Sequence, residues 1–386
     1  MYILIISRGY PTSKYKMNGI FEFDQAKALA NKGHKVVFCA LDLRSLRKKR
    51  KWGYESFEKD KVHIESLNFP GGGLPVGFLD KIRSRLLLNL LNKSIKKHGE
   101  PDVIHAHFTG SGYALVKVNE IRRLRQPLVL TEHFSGINKE NINPRLFKVA
   151  QETYLKIDKL ISVSSYLSAE IYRKFEVTSD IVPNVIDVEL NPDETGNMKR
   201  KEGTFTFVSV GRLVPDKQMD LLIKAFALLH QKIKGIELII YGDGPDKDKL
   251  AKIIEKERLE DKVFLMGLVE RKAIFSKMLE SDCFILASKL ETFGVAYAEA
   301  MAMGLPVITP RNGGTEDFIH ERNSVIIQEL TVTGIMNAMK KIYKEIDIYN
   351  KKDIREDIIN KYSAASVVYE LEKIYIEVIN SKGYSE

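Results

Sequence analysis

Short apolar runs rich in β-branched residues recur along this sequence between longer stretches with helical periodicity, and that alternation constrains the fold more than any other feature. The first six runs are YILII (2–6), KVVFCA (35–40), VHIESL (62–67), DVIHAH (102–107), PLVLT (127–131) and KLISV (159–163). Continuous apolar runs of this length fit strands buried on both faces, and strands alternating with helices predict a parallel sheet covered by helices. A second set follows: FTFVSV (205–210), IELIIY (236–241), KVFLM (262–266), DCFIL (282–286), PVIT (306–309) and SVII (324–327). Between the sets lies VELNPDETGNMKRKEG (188–203), a polar segment with turn formers and no sustained periodicity, which reads as a linker. A chain of 386 residues that is 44% apolar can bury two cores. The expected fold class is therefore α/β, with two Rossmann-like domains: residues 1–187 and residues 188–362. A last helix, from about 363 onward, carries apolar Val367, Leu371, Ile374 and Val378.

Composition narrows the function classes. Cysteine occurs only at Cys39 and Cys283, each inside an apolar run, so neither a disulfide framework nor a cysteine metal cluster is expected. YILII is too short for the core of a signal peptide and has no basic leader, and no run approaches a membrane span. The expectation is a cytoplasmic protein, at most peripheral on a membrane. The net charge of +9 is uneven, with 24 Lys and Arg against 11 Asp and Glu in residues 1–130, and 36 against 40 thereafter.

The segment that bears most on chemistry is ETFGVAYAEAMAMGLPVI (291–308), which directly follows the run DCFILAS. A strand, a glycine turn at Gly294 and a helix predicted over 295–303 place backbone N–H groups and a positive dipole end at the carboxyl edge of a sheet, where a diphosphate can sit. Glu291 precedes this helix and Glu299 lies just over one turn into it. Both can accept hydrogen bonds from sugar hydroxyls, although a single glutamate is more often a solvated charge.

This stretch resembles the signature of the family 4 glycosyltransferases, retaining enzymes of the GT-B fold, and other landmarks of that family occur in the same order. GRLVPDKQMDLL (211–222) is similar to the segment whose Arg and Lys hold the donor diphosphate, here Arg212 and Lys217, beginning at Gly211. YGDGPDKDKL (241–250) resembles the G-x-GP turn, with Gly242, and VFLMGLVE (263–270) the strand whose backbone contacts the nucleobase, with Val269. RNGGTEDFI (311–319) resembles the GG-x-x-E loop, and PNVID (183–187) a PNG-V-D turn that here lacks its glycine. In the first domain, residues 10–36 are similar to the opening glycine loop, with Gly19 near the phosphate. VLTEHFSG (129–136) resembles the T-x-H element, with His133 beside the donor sugar.

The resemblance implies two Rossmann-like domains facing a central cleft, with the C-terminal helix crossing back to the first domain. It also implies retaining transfer of a hexosyl group from a nucleotide-diphosphate sugar, UDP by family preference. Its catalytic set is His133, Arg212, Lys217 and Glu291. Phe293, Gly294, Val295 and Glu299 join Gly19, Gly211, Gly242 and Val269 in holding the donor. Glu291 is then nearer the hexose and Glu299 nearer the ribose.

The charge argument agrees with a reaction that needs no cofactor and no metal. Breaking a sugar–phosphate bond builds negative charge on the leaving diphosphate, which Arg212, Lys217 and the helix start at Gly294 can stabilise. Asp246-Lys247-Asp248, the one D-x-D tripeptide, reads as the charged start of a helix. His105 and His107 project to one face of a strand but have no evident third ligand, so hydrogen bonding or cleft lining is the expectation.

The acceptor is expected to be a lipid-linked sugar or an oligosaccharide. FLDKIRSRLLLNLLNKSIKKHG (78–99) combines Leu79, Ile82, Leu86 and Leu90 with six Lys and Arg, and with RSLRKKRKW (44–52) it suggests an anionic membrane surface as partner. Nucleic acid is not expected, because the basic residues are not interleaved with stacking aromatics. Two other classes share the architecture: a sugar-nucleotide isomerase of the UDP-GlcNAc 2-epimerase kind, and a non-catalytic sugar-nucleotide-binding subunit.

Overall fold

The computed structural model describes residues 1–45, 50–188 and 203–383. Most of the linker segment and residues 46–49 of the basic run 44–52 lie outside the described residues. The chain divides into two compact units, Met1–Val185 with Ala364–Glu386, and Ile186–Ser363.

Unit 1 holds an eight-stranded sheet in the order β3-β4-β2-β1-β5-β6-β7-β8. Its strands are β1 (Tyr2–Ser7), β2 (Lys35–Asp42), β3 (Gly53–Lys59), β4 (Val62–Asn68), β5 (Val103–His107), β6 (Leu128–Glu132), β7 (Lys159–Ser162) and β8 (Asp180–Ile181). All pair in parallel except β3, which lies antiparallel on β4. Both faces of β1 and β5 are buried throughout, which explains their unbroken apolar runs. The helices are α1 (Ile20–Asn31), α2 (Val76–His98), α3 (Thr109–Arg122), α4 (Pro144–Lys156) and α5 (Ser165–Phe175).

Unit 2 is a six-stranded, wholly parallel sheet in the order β11-β10-β9-β12-β13-β14. It is built from β9 (Phe205–Val210), α6 (Met219–Lys232), β10 (Ile236–Tyr241), α7 (Lys247–Lys256), β11 (Val263–Gly267), α8 (Arg271–Leu279), β12 (Cys283–Ile285), α9 (Val295–Ala302), β13 (Val307–Pro310), β14 (Ser324–Ile327), α10 (Val332–Lys344) and α11 (Lys351–Tyr362). The final helix, α12 (Ala364–Gly383), belongs to unit 1. It buries Val367, Leu371, Ile374, Tyr375 and Val378 in a core shared with Phe23, Leu29 and Val36. Each such side chain contributes about 1.5–3 kcal/mol by leaving water, and the Tyr375 hydroxyl meets His105 Nδ1 at 2.7 Å.

In each unit the chain winds outward from a central first strand in one direction and then returns to wind the other way. The reversal falls between β1 and β5 in unit 1 and between β9 and β12 in unit 2. In doubly wound sheets, the carboxyl ends of the two strands flanking such a point diverge and leave a crevice for ligands.

The structure corrects the reading of α2. Leu90, expected to dip into a bilayer, is buried with Leu87, Leu91 and Ile95 inside unit 1, and Leu79, Ile82 and Leu86 are half-buried. The apolar stripe is used by the core because α2 lies over β2 and β4. Two of its lysines are also engaged there, Lys93 over the Tyr54 ring at 3.1 Å and Lys97 on Glu65 at 3.0 Å. The exposed apolar residues are instead Leu74, Val76 and Phe78 at the start of the helix.

Candidate active site

In unit 2, the loops after β9 and β10 are laced backbone to backbone. Gly211 N–H donates to Tyr241 O at 3.0 Å, Leu213 N–H to Asp243 O at 3.0 Å and Asp246 N–H to Leu213 O at 3.1 Å. The approach is close enough that a Cβ on Gly242, whose φ is 140°, would lie 1.8 Å from Gly211 O, so a side chain there is excluded. This lacing sets a short 3₁₀ turn, Pro215–Lys217, which delivers Lys217 to the mouth of the strand reversal.

The loop after β12 meets it there. Lys289 N–H donates to Asp216 O at 2.9 Å, and Lys217 Nζ lies 2.5 Å from Glu291 Oε1 and 3.4 Å from Ser288 Oγ. Glu291 is fixed in turn by a bridge to Gly313 and by donating its N–H to Asn312 O at 3.0 Å. Arg212 sits exposed on the same β9 loop, five residues before Lys217.

Gly294 opens α9 in a left-handed conformation, φ 90° and ψ 46°, which a side chain adopts only at a cost. A Cβ would also meet Thr315 Cγ2 at 2.7 Å. Beneath it, Asn312 Nδ2 donates to the Tyr297 hydroxyl at 3.3 Å and Thr315 Oγ1 to Asn312 Oδ1 at 2.8 Å, so the 311–315 loop forms a floor for the first turn of α9. Val295 and Ala296 then open the amide end of the helix, four and five residues after the Glu291 that Lys217 meets, an arrangement suited to negative charge. Phe293 is buried against Phe318 and Tyr362.

One oxygen of Glu299 is already engaged within unit 2. Arg271 Nε lies 2.7 Å from its Oε1, and the carboxyl is almost wholly buried. Burial pushes its pKa up and the Arg271 charge opposes that shift. Arg271 begins α8, two residues after Val269, and sequence reading passed over it. Asp246 and Asp248 stand at the start of α7, as its charge pattern suggested.

Unit 1 gathers the remaining residues at its own strand reversal. Gly19 starts α1, its backbone pressed on Gly9 O. Arg8 follows β1 and lies 3.2 Å over the Phe108 ring, and that ring is 4.8 Å from His133. His105, His107 and His133 are buried and stacked, with centroids 4.5 and 5.2 Å apart, and His107 Nδ1 meets His133 Nε2 at 2.9 Å. Burial lowers the pKa of His105 and of His133 to about 3 and that of His107 well below its ordinary value, so the stack is neutral at pH 7. Glu132, also missed from sequence, holds this corner. It accepts hydrogen bonds from the N–H groups of Thr109, His133 and Phe134 at 3.0, 2.9 and 2.8 Å and from the Tyr154 hydroxyl at 2.8 Å.

Residues 192–361 match the family described as Glycosyl transferases group 1, and residues 23–190 match Glycosyltransferase Family 4. The chain belongs to glycosyltransferase family 4. It has the GT-B fold. It is 27% identical over 250 residues to the GPI3 subunit of phosphatidylinositol N-acetylglucosaminyltransferase of Saccharomyces cerevisiae, an alignment that takes in 62% of this chain and 54% of the yeast one. The chain thus spans about half the length of that relative. Among solved structures it is similar to sucrose-phosphate synthase from Thermosynechococcus elongatus, with a TM-score of 0.80 at 17% identity over 99% of this chain and 100% of that one. It is also similar to Anabaena HepE in complex with UDP and glucose, with a TM-score of 0.73 at 18% identity over 96% and 98%. Among the described residues, no helix is long and apolar enough to cross a membrane.

Proposed function

We propose that this glycosyltransferase moves a hexosyl group, with retention and without a metal, from a nucleotide-diphosphate sugar, UDP before other nucleotides, to a lipid-linked or saccharide acceptor in cell-surface glycan synthesis. The observation that carries this reading is the meeting of Lys217 and Glu291 beside the α9 start, at the strand reversal of unit 2. HepE is in complex with UDP, and the yeast relative is a phosphatidylinositol N-acetylglucosaminyltransferase subunit, which supports a UDP-sugar and a lipid-borne acceptor.

In this reading Lys217, Arg212 and the amide end of α9 hold the diphosphate, and Glu291, already paired with Lys217, orients both the lysine and the hexose. The C1–oxygen bond to the phosphate breaks with its electron pair going to the diphosphate. The acceptor oxygen bonds to C1 on the same face, and its proton passes to the departing phosphate oxygen. Fixed positive groups act where charge develops, at no reorganisation cost during the reaction. His133, neutral, orients the sugar by hydrogen bonding. Glu299 acts on the ribose through its pairing with Arg271.

The test is to incubate the chain with individual UDP- and GDP-sugars, with and without lipid-linked acceptor, and to follow nucleoside diphosphate release and product anomer by NMR. Release with retained configuration, abolished by Arg212→Ala and Glu291→Ala, is expected; epimerised donor without release sinks the reading. We also place the peripheral membrane contact at Leu74, Val76 and Phe78 with Lys81 and Arg85; anionic liposomes that fail to float the chain at low salt remove that part.

A further inference from the structure

A second gathering of cations lies in unit 1 and is not used by the chemistry above. Arg8, Arg44 and Arg83 line a cavity of about 320 Å³ at the carboxyl ends of β1 and β2, together with one acid, Asp42, the polar Asn18 and Ser111, and several apolar side chains. A cavity of this size is at the low end of the range that takes small ligands.

The charges around it do not cancel. Arg44 Nε lies 2.8 Å from Asp42, and Arg50 contacts the same carboxylate. Arg83 and Arg145 share Asp80 at 3.0 and 2.6 Å. Arg8 reaches Glu22 only at 3.8 Å. Five guanidinium groups therefore share three carboxylates, and burial raises the pKa of Glu22, which weakens its claim to a full charge. Glu132, whose charge also acts on Arg8, is likewise pushed up by burial, which weakens its claim to a full charge in the same way.

Arg83 is pushed below its ordinary pKa by burial and by the neighbouring Arg8 charge, with Asp80 opposing. Like charges held together beside a cavity are unfavourable until an anion joins them. Arg83 also lies against the first turn of α3, 3.3 Å from where a Cβ on Gly110 would stand, so the helix dipole adds to the field. Arginine forks suit the paired oxygens of a phosphate.

We propose that this pocket receives the anionic group of the acceptor: a phosphate ester or diphosphate carried next to the sugar or lipid that accepts the hexosyl group. The assignment rests on the glycosyl-transfer reading for its choice of the acceptor. It places the donor diphosphate in unit 2 and the acceptor phosphate in unit 1.

Calorimetric titration of the full chain, with UDP present at saturation, tests it. The probes are α-D-glucose 1-phosphate, inorganic pyrophosphate and inorganic phosphate. The ester and pyrophosphate are expected to bind at one site, the ester at least as tightly as inorganic phosphate. Arg83→Gln and Arg8→Gln are expected to weaken both at least tenfold, and Arg83→Lys less, with circular dichroism confirming that each variant is folded. Three results overturn the proposal. The first is no binding once UDP is present; the second is binding lost in Lys217→Gln but kept in Arg83→Gln, which gives the anion to the donor site. The third is binding of inorganic phosphate without the ester. Failure of UDP itself to bind while the ester still binds strikes the donor reading and leaves the anion pocket standing.

Discussion

The two units share a winding order but differ in what they place at the reversal. In unit 2 the point between β9 and β12 carries glycine-laced loops, an open helix start and the Lys217–Glu291 pair. In unit 1 the point between β1 and β5 carries Arg8 over Phe108 and a buried neutral stack of three histidines. Topology supplies the crevice twice, and the residues that follow the first and fourth parallel strands decide its chemistry. A partly exposed charge pair suits a ligand whose charge changes during reaction, whereas a buried neutral stack suits shape and hydrogen bonding.

The sharpest way to break this contrast is to remove charge from unit 2. Lys217→Ala should lower kcat/KM for transfer by about 10²–10³-fold, the usual effect of deleting one group that faces developing charge, while steady-state kinetics with the matched Glu291→Gln show a smaller loss. A comparable loss from a charge-neutral change in the unit 1 histidine stack contradicts the division of roles.

Next in size is Arg271→Ala, which leaves Glu299 buried beside nothing that neutralises it. Because Arg271 is still partly exposed, a loss of about 2–3 kcal/mol is expected, below the range for a fully buried pair. The sign follows from the carboxyl pKa, which burial raises in the folded state. Such a group favours the folded form at acid pH and penalises it as pH rises through the folded pKa. The gap between variant and wild type, read by urea denaturation, should therefore be widest at neutral pH and narrow on acidification.

Gly294→Ala should cost about 1–2 kcal/mol for its left-handed backbone and raise KM for the donor, since the helix start must shift to relieve the contact with Thr315. The smallest effect belongs to unit 1. Histidines whose folded pKa lies near 3 stabilise the fold fully above the unfolded value and lose that contribution as pH falls. Buried Glu22 and Glu132, pushed up by burial, act oppositely, so a difference measurement is required. His107→Gln should be less stable than wild type at pH 7, and thermal melts should show the gap closing toward pH 5 by at most about 1.4 kcal/mol per pH unit.

The sheets were legible because parallel strands buried on both faces are written as continuous apolar runs, as in YILII and IELIIY. The strand β3, GYESFEK, was not, because an exposed antiparallel edge need not be apolar. Glu291, Gly294 and Lys217 stood out by their local patterns, yet the contact between Lys217 and Glu291 joins residues 74 apart and depends on the strand order. Arg271 had no pattern of its own, since only the packing of α8 beside α9 brings it to Glu299. The arginine pocket is spread over positions 8, 44 and 83 and showed in the sequence only as the surplus of positive charge before residue 130. The stripe of α2 was misread because amphipathicity alone does not distinguish a face that meets a sheet from one that meets a membrane.

The most direct measurement is a crystal structure of the chain with UDP bound. The diphosphate is expected within hydrogen-bond distance, about 3 Å, of Lys217 Nζ and of the amide N–H groups that open α9. A diphosphate seated instead against Arg8 and Arg83 in unit 1, with Lys217 still held by Glu291 and Ser288, contradicts this placement.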